Sequence, residues 1–416
     1  MELRETDRYE TGDSGIAGSG PDLSAIHTPV LLDDCVDLVT SRLAERHLAG
    51  PAATRPAGGD LPIIVDCTLG LAGHSMAFLK ACPQARLIGI DRDPEALALA
   101  TRRMDDAGLS DRFTPVHAPF DELSAVLDRL GVASVDAVFM DLGLSSLQID
   151  ETDRGFSYSH DAPLDMRMDT TQSLTAADVL NTYDTDRLAR IFKEYGEERF
   201  AGPIAKRIGQ MRRESPITTS AQLSGLVDRV VPRAHRAPGN PAKRVFQALR
   251  IEVNGELDKL AGTLPQAALR LGVGGRLVVE SYHSLEDRTV KRFMALGLHV
   301  DAPAGLPVIP PDAQPYFRDL THGAVKADDA ERRRNPRSAS VRLRAVELIR
   351  PIPSARRQEL AGLVDAGYAG FAGGEPGVRP SGGKGRSPRD RSRHGANGNH
   401  DFRKPSRSAS ERMPRR

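Results

Sequence analysis

Residues 63–74 read IIVDCTLGLAGH, a run of apolar residues that ends in a glycine-containing turn. The run predicts a buried strand, and the turn predicts entry into a helix. Gly70 and Gly73 would let the backbone approach a ligand closely, because neither carries a side chain. The turn departs from the dinucleotide fingerprint G-x-G-x-x-G, since Thr68 stands two residues before Gly70. Taken alone, the turn fits a plain strand–helix connection as well as a ligand-binding loop.

Further apolar runs follow along the chain, separated by stretches in which apolar residues recur at helical spacing. The runs lie at 63–67, 86–91, 113–117, 135–141, 276–281 and 339–346. The first four follow one another at the rhythm of βαβ units, and their continuous hydrophobicity is typical of strands covered on both faces. The sequence therefore predicts an α/β fold with a doubly wound, mostly parallel sheet.

The strand rhythm stops between residues 141 and 276, where helical patterns replace it. We predict a helical insertion over residues 150–240, followed by a helix at 242–262 that returns to the sheet. The sheet domain then comprises residues 26–149 and 241–352. Residues 1–25 and 353–416 are predicted to be disordered, because segments rich in Gly, Ser, Pro or Arg bury too little apolar surface to offset chain entropy.

Composition excludes several classes of protein. The 416 residues carry a formal net charge of +1, and no run approaches the roughly 18 apolar residues of a membrane span. The first residues lack the apolar stretch of a signal peptide, so we expect a cytoplasmic protein that contacts no membrane. Cys35, Cys67 and Cys82 have no paired spacing, which argues against a disulfide framework or a metal site. The tail is basic and the body acidic, so any nucleic-acid site must be a local patch.

Asp91 ends the second predicted strand, about twenty residues after the glycine turn. A carboxylate at this position can accept hydrogen bonds from the two hydroxyls of a ribose. An adenosyl cofactor and a nicotinamide dinucleotide both carry such a ribose, so Asp91 does not distinguish between them. Asp91 could instead cap the next helix, but Asp93 before Pro94 already suits that role.

Two more candidate residues follow predicted strands. Phe120 comes after the third strand, where it could cover an adenine ring, although a single Phe in this place is more often part of the core. Asp141 ends the fourth strand, beside the point where the strand order is expected to reverse, and could hold an amine of the cofactor or of the substrate. Two carboxylates at strand ends beside a glycine turn favour a binding site over coincidence.

Blocks of sequence throughout the folded region are similar to one known family. They are HTPVLL (27–32), AGH (72–74), DRDP (91–94), DLGLSS (141–146), DRGFS (153–157), PLDMRMD (163–169), YGEERF (195–200), FQALRI (246–251), HSLEDR (283–288) and NPR (335–337). With these blocks the chain resembles the bacterial ribosomal RNA small-subunit methyltransferase H family. The resemblance implies a class I, Rossmann-like methyltransferase that uses S-adenosylmethionine to methylate the N4 amine of a cytidine in the decoding region of 16S rRNA.

The resemblance also implies which residues hold the cofactor. They are Ala72, Gly73, His74, Asp91, Phe120, Asp141 and Gln148. Leu71, Ala72 and Leu147 depart from the Gly-rich or Pro residues that relatives often carry there. A backbone contact at Ala72 survives this change if its φ angle is negative. The insertion at 150–240 is then the expected substrate-recognition domain, with 16S rRNA or the small ribosomal subunit as partner.

Methylation of a cytosine amine requires help, because the lone pair of N4 is delocalised into the ring. We expect Asp141 or a neighbouring backbone carbonyl to accept a hydrogen bond from that amine. His283, after the fifth predicted strand, could accept a proton after transfer, or could simply fix its loop.

RNA contacts are predicted in and beside the insertion. Gln247, Arg250 and Asn254 recur at helical spacing and face either RNA or solvent. Phosphate contacts are expected from the basic residues Lys206, Arg207, Arg212, Arg213, Arg233, Arg236, Lys243, Arg244, Arg332, Arg333 and Arg334. Binding through such residues weakens steeply as salt rises.

Three other functions stay open at this point. A nicotinamide-dependent oxidoreductase would share the turn and the ribose carboxylate, but it lacks support because G-x-G-x-x-G is missing. A cofactor-binding RNA chaperone or assembly factor without catalysis would not need Asp91, Asp141 and His283 together. A methyltransferase of proteins or small molecules would not need a basic insertion.

Overall fold

The computed structural model describes residues 29–43, 61–145, 148, 154–158, 160–236, 240–300, 302 and 308–372. The predicted disordered segment at 1–25 and the tail from residue 373 onward lie outside the described residues.

Seven strands form one sheet. They are β1 (Ile63–Asp66), β2 (Arg86–Asp91), β3 (Phe113–His117), β4 (Val135–Asp141), β5 (Leu271–Ser281), β6 (Phe317–Asp319) and β7 (Arg342–Leu348). The order across the sheet is β3-β2-β1-β4-β5-β7-β6. Strands β1 to β5 are parallel, whereas β7 and β6 are antiparallel to their neighbours. The predicted doubly wound, mostly parallel sheet is confirmed, and its strand order reverses between β1 and β4.

Three strand boundaries differ from the prediction. β5 begins at Leu271 rather than at 276, because three glycines diluted the apolar signal of its first half. The last strand covers Arg342–Leu348 rather than 339–346, since Pro336–Ser340 forms a 3₁₀ turn before it. β6 was not predicted, because three residues are too few to show a period.

Fourteen α-helices lie in the part of the chain that is described. They are α1 (Leu32–Thr40), α2 (Gly73–Ala81), α3 (Pro94–Asp106), α4 (Leu123–Arg129), α5 (Ala176–Thr182), α6 (Thr185–Glu194), α7 (Ala201–Met211), α8 (Ser220–Val230), α9 (Lys243–Asn254), α10 (Glu256–Arg270), α11 (Ser284–Leu298), α12 (Asp329–Arg334), α13 (Ser354–Ala366) and α14 (Ala369–Ala372). Helices α1 and α2 pack with one face of the sheet, and α4, α10 and α11 with the other. Both faces of the sheet are therefore covered.

The helical insertion has a hydrophobic core of its own. Its buried residues come from α5, α6, α7 and α8, as predicted for 150–240, but also from α9. The predicted single helix at 242–262 is wrong, because Gly255 adopts a left-handed backbone with φ of 60° and separates α9 from α10. The boundary at residue 240 is wrong as well, since α9 packs within the core of the insertion.

The prediction of disorder from residue 353 is wrong for its first twenty residues. Helices α13 and α14 lie against α10 and α11, where Leu360 and Phe371 are buried in the core beside the sheet. Phe371 packs near Phe293 of α11. The segment contains few apolar residues, but they are enough to order it because they pack against the apolar surface of α10 and α11.

Within the described ranges, helices of the length and hydropathy needed to cross a membrane are not found.

Candidate active site

One cleft opens at the carboxyl edge of the sheet, where β1, β2 and β4 end. It encloses about 960 Å³ including its open mouth. The reversal of strand order between β1 and β4 is where doubly wound sheets bind ligands. Its lining includes six of the seven predicted cofactor contacts: Gly73, His74, Asp91, Phe120, Asp141 and Gln148.

Asp91 holds the glycine turn open around the cleft. Its Oδ2 accepts a hydrogen bond of 2.7 Å from the backbone N–H of Gly70, and its Oδ1 accepts one of 2.8 Å from the N–H of Asp93. Burial raises the pKa of the Asp91 carboxyl, and these two N–H groups act in the opposite direction. Asp93 caps α3, as predicted. Each Asp91 oxygen keeps lone pairs for a ligand in the cleft.

Ala72, the seventh predicted contact, lies outside the described lining of the cleft. Its side chain is fully buried, and its φ is 60°. The φ of Ala72 is therefore not the negative value expected for it, whereas its predicted backbone contact with the cofactor stays a prediction. A left-handed φ favours glycine because a Cβ there crowds the following carbonyl. Glycine is instead required next door, since a Cβ on Gly73 would lie 2.7 Å from Cγ of Pro29.

His74 forms part of the cleft floor. Its Nε2 lies 3.0 Å from the backbone oxygen of Val30, and its Nδ1 lies 3.6 Å from Oδ2 of Asp141. Burial lowers the pKa of this imidazole, so the ring is neutral at pH 7 and donates to Val30. We infer that His74 fixes the loop through Val30 and carries no charge.

Two hydrogen bonds hold Asp141 in place. Its backbone N–H donates to Oγ1 of Thr68 over 2.6 Å, and its Oδ1 accepts from the hydroxyl of Tyr282 over 2.8 Å. Burial and the charge of Asp141 raise the pKa of Tyr282 well above its usual range, so that hydroxyl keeps its proton. The carboxylate is thus an oriented acceptor at the cleft wall.

Phe120 and Gln148 lie in the lining in different ways. Phe120 is half-buried, packs on the core and lines the cleft, and its contact with an adenine ring stays a prediction. Gln148 accepts from the N–H of Ser145 over 3.2 Å and donates to Asp93 over 3.4 Å. The amide of Gln148 therefore ties the loop after β4 to the start of α3.

Sequence reasoning missed four polar residues of the lining: Asp66, Arg92, Glu256 and Glu286. Asp66 accepts from the hydroxyl of Ser75 over 2.6 Å, and burial raises the pKa of its carboxyl to about 6. Its signal was available, because an acid at the end of an apolar strand needs an explanation. Arg92 adjoins Asp91 in the DRDP block but was not considered as a lining residue, whereas Glu256 and Glu286 come from distant segments and carried no local signal.

The cleft is acidic. Its lining contains five carboxyl side chains and one guanidinium, that of Arg92. Such a surface attracts a cationic ligand and repels a diphosphate. Because Glu256 and Glu286 are paired with Arg250 and His283, the charge that a ligand meets comes mainly from Asp66, Asp91 and Asp141.

His283 is not brought to the cleft. Its Nδ1 accepts from the N–H of Glu286 as the N-cap of α11, and its Nε2 lies 3.2 Å from a Glu286 oxygen. The catalytic role predicted for His283 is therefore not supported, and the alternative of fixing the loop is. The His283 side chain serves as this cap because the first N–H groups of α11 have no acceptor within the helix.

The carboxyl of Glu286 has a lowered pKa, which makes the stability of the protein depend on pH. Burial raises the pKa of this carboxyl. The charge of His283 and its hydrogen bond lower the pKa, as do the charge of Arg250 and the hydrogen bond from the Tyr282 N–H, and together they bring it to about 2. A carboxyl whose pKa falls on folding stabilises the protein above its unfolded pKa, near 4.5, and loses this contribution as the pH falls toward 2. We expect Glu286→Gln to lower the free energy of unfolding at pH 7 by about 3 kcal/mol.

Denaturant titrations across pH test this expectation. The difference between wild type and Glu286→Gln should shrink between pH 4.5 and pH 2. Glu122→Gln, at an exposed position, is the control and should change stability by less than about 0.5 kcal/mol. A constant difference at all pH values would contradict the assignment.

Two of the predicted RNA contacts have structural roles. Arg250 forms a two-pronged ion pair with Glu256, each bond 2.7 Å long. Asn254 accepts from the N–H of Met168 over 2.8 Å and donates to the oxygen of Met166 over 2.8 Å. Burial makes the prediction for Asn254 wrong, whereas Arg250 keeps 15% of its side chain exposed and its contact with RNA stays a prediction. Helical spacing does not reveal which face of α9 is covered.

The remaining predicted RNA contacts differ in exposure. Gln247 is half-buried and donates to the backbone oxygen of Tyr195. Arg212 and Arg236 donate to backbone oxygens of the insertion. The exposed members of the set are Lys206, Arg207, Arg213, Arg233, Lys243, Arg244, Arg332, Arg333 and Arg334.

Comparison with known families decides what kind of protein carries this cleft. The model of the MraW methylase family matches residues 24–349. The chain belongs to the MraW methylase family. Two relatives of this MraW methylase are both named ribosomal RNA small subunit methyltransferase H. One, from Bifidobacterium longum, is 68% identical over 355 residues, which is 84% of this chain and 95% of the relative. The other, from Clavibacter michiganensis, is 52% identical over 328 residues, 79% of this chain and 98% of the relative.

Proposed function

We propose that this MraW methylase transfers a methyl group from S-adenosylmethionine to the N4 amine of a cytidine in the decoding region of 16S rRNA. The observation that carries the proposal is the acidic cleft at the carboxyl edge of the sheet, with the Asp141 carboxylate fixed in its wall. The names of the relatives, which specify the RNA of the small ribosomal subunit, support the choice of substrate.

The cleft fits S-adenosylmethionine. Asp91 is placed for the ribose hydroxyls and Phe120 for the adenine, while the turn at Gly70 leaves space for the amino-acid portion. The cofactor supplies a methyl group on a positively charged sulfur. The five carboxyl groups of the lining favour that charge, whereas they would repel the diphosphate of a nicotinamide dinucleotide.

Asp141 acts on the substrate amine. Its carboxylate accepts a hydrogen bond from N4, which orients the amine and biases its lone pair out of the ring. Tyr282 restrains the carboxylate by donating to its other side. After transfer the amine must lose a proton, and Asp141 lies within the cleft to accept it. Positioning of this kind lowers a barrier by up to about 7–11 kcal/mol.

The helical insertion is the proposed RNA-binding part. Lys243 and Arg244 are exposed at the start of α9, which packs within the core of the insertion. The double substitution Lys243→Ala/Arg244→Ala should weaken RNA binding about tenfold and reduce the salt slope by about one to two. Filter binding at several salt concentrations measures both quantities.

Two controls accompany this measurement. Arg129→Ala, at an exposed site outside the insertion, should leave RNA affinity unchanged. Arg250→Ala should destabilise the fold instead, because it leaves Glu256 as an unpaired buried charge. Unchanged affinity and salt slope in the double variant would remove Lys243 and Arg244 from the interface.

A transfer assay tests the proposed reaction. Small ribosomal subunits that lack the modification are incubated with the protein and methyl-labelled cofactor, and the labelled nucleotide is identified by mass spectrometry. We expect label on N4 of one cytidine of 16S rRNA. Binding of the subunit without transfer would instead support an assembly factor. Running free 16S rRNA beside the subunit shows which form is the substrate. Cytoplasmic location remains a prediction.

A further inference from the structure

A second carboxyl group lies directly beside Asp141. Glu280 is on β5, and the parallel register of β4 and β5 places it opposite Asp141. Its side chain is completely buried, and the side chains that approach its carboxyl as hydrogen-bond partners among the described residues are the Cys35 thiol, a weak donor, and the Asp141 carboxyl. The reaction proposed above does not use Glu280, so a buried acid at this place needs its own explanation.

The neighbours of Glu280 offer it little stabilisation as an anion. The titratable groups that face it are Asp34, Cys35, His74, Asp141 and Tyr282. His74 Nε2 lies 3.6 Å from Oε2 of Glu280, but its proton is directed to the backbone oxygen of Val30. The hydroxyl of Tyr282 donates to Asp141. The remaining neighbours are acids or a buried thiol.

Two adjacent buried carboxyl groups cannot both be ionised without a large cost, so one proton lies between them. Asp141 is the more exposed of the two and already accepts from Tyr282, which favours its anionic form. Burial and the charge of Asp141 raise the pKa of Glu280 well above its usual range. The proton therefore resides on Glu280.

We propose that Glu280 is a positioning residue, a neutral carboxylic acid whose O–H donates to Asp141 and orients that carboxylate toward the substrate amine. Tyr282 and Glu280 then each donate a hydrogen bond to Asp141, and the carboxylate presents its other lone pairs to the cleft. The inference rests on the proposed function, because it assigns Glu280 a part in orienting the acceptor of that same reaction.

Two substitutions separate this role from its alternatives. Glu280→Gln keeps a neutral donor of the same shape, so we expect kcat within about threefold of wild type and an unmoved acidic limb of the pH profile. Glu280→Met keeps the volume but removes the donor. We expect kcat to fall at least about tenfold, the acidic limb to move to higher pH, and KM for the cofactor to stay within about threefold.

Opposite results would overturn the proposal. If Glu280 were ionised, Glu280→Gln would remove a repelling charge and shift the acidic limb to lower pH by about one unit or more. If Glu280 were only a filler of the core, Glu280→Met would match wild type in kcat and pH profile. One equivalent of tightly bound metal that is lost in Glu280→Gln would make it a ligand beside Cys35 and His74.

Infrared spectroscopy detects whether the Glu280 carboxyl is protonated, without a measurement of enzyme activity. The difference spectrum of wild type minus Glu280→Gln at pH 8 should contain the carbonyl stretch of a protonated carboxylic acid. Glu347→Gln, at a buried glutamate paired with Arg276 and Arg318, is the matched control and should leave that band in place. Absence of the band from wild type overturns the proposal. A protein that shows the band but methylates no cytidine would refute the proposed function while keeping the protonated Glu280.

Discussion

Replacement of Asp141 by Ala is expected to lower kcat for methyl transfer about 100- to 1000-fold, the usual loss when an oriented group that acts on the reacting atoms is removed. Asp141 is the carboxylate in the cleft wall that Tyr282 holds at 2.8 Å. Single-turnover transfer to small ribosomal subunits measures the effect, because it reports the chemical step rather than product release.

Two milder variants at the same place grade the effect. Asp141→Asn keeps one acceptor oxygen but loses the charge, and should fall between wild type and Ala. Tyr282→Phe removes only the restraining hydroxyl and should cost about tenfold. The dissociation constant of S-adenosylhomocysteine, measured on each variant, shows that the cofactor site is intact. A value of kcat within about threefold of wild type for Asp141→Ala would remove Asp141 from the mechanism.

Replacement of Asp91 by Ala is expected to weaken cofactor binding about 100-fold or more. Two losses act together, because the carboxylate that would hold the ribose is gone and the N–H groups of Gly70 and Asp93 lose their acceptor. Calorimetric titration with S-adenosylhomocysteine measures the change. At saturating cofactor, kcat should recover to within about tenfold of wild type, since Asp91 does not touch the substrate amine.

Asp111 provides a matched control for this substitution. It is an exposed aspartate on the short turn before β3, so Asp111→Ala should leave cofactor affinity unchanged. Asp91→Asn should lie between wild type and Ala, because its amide keeps one acceptor. Equal affinity for wild type and Asp91→Ala would place the ribose elsewhere.

The positions of the strands could be predicted because buried parallel strands leave a strong local signature. β1, β2 and β4 are largely apolar runs, and each ends in an aspartate at the edge of the sheet. Asp91 and Asp141 were therefore located from their position in the chain alone. The general rule that ligands bind beyond the carboxyl ends of such strands then identified both residues as candidates for the binding site.

Residues whose role depends on distant contacts could not be predicted in this way. Arg250 and Asn254 look like surface residues of a helix in the sequence, yet Glu256 and the backbone around Met166 bury them. The conformation of Ala72 is set by the packing of its loop, which a single sequence does not reveal. Helices α13 and α14 were not predicted because they contain few apolar residues, and these residues become buried only by packing against the rest of the fold.

Calorimetric titration of the wild-type protein with S-adenosylhomocysteine and, separately, with NAD tests most directly whether the acidic cleft is a site for an adenosyl cofactor. We predict one equivalent of S-adenosylhomocysteine bound, with an affinity lost in Asp91→Ala, and no heat of binding for NAD. Binding of NAD, or no binding of S-adenosylhomocysteine, would contradict the account.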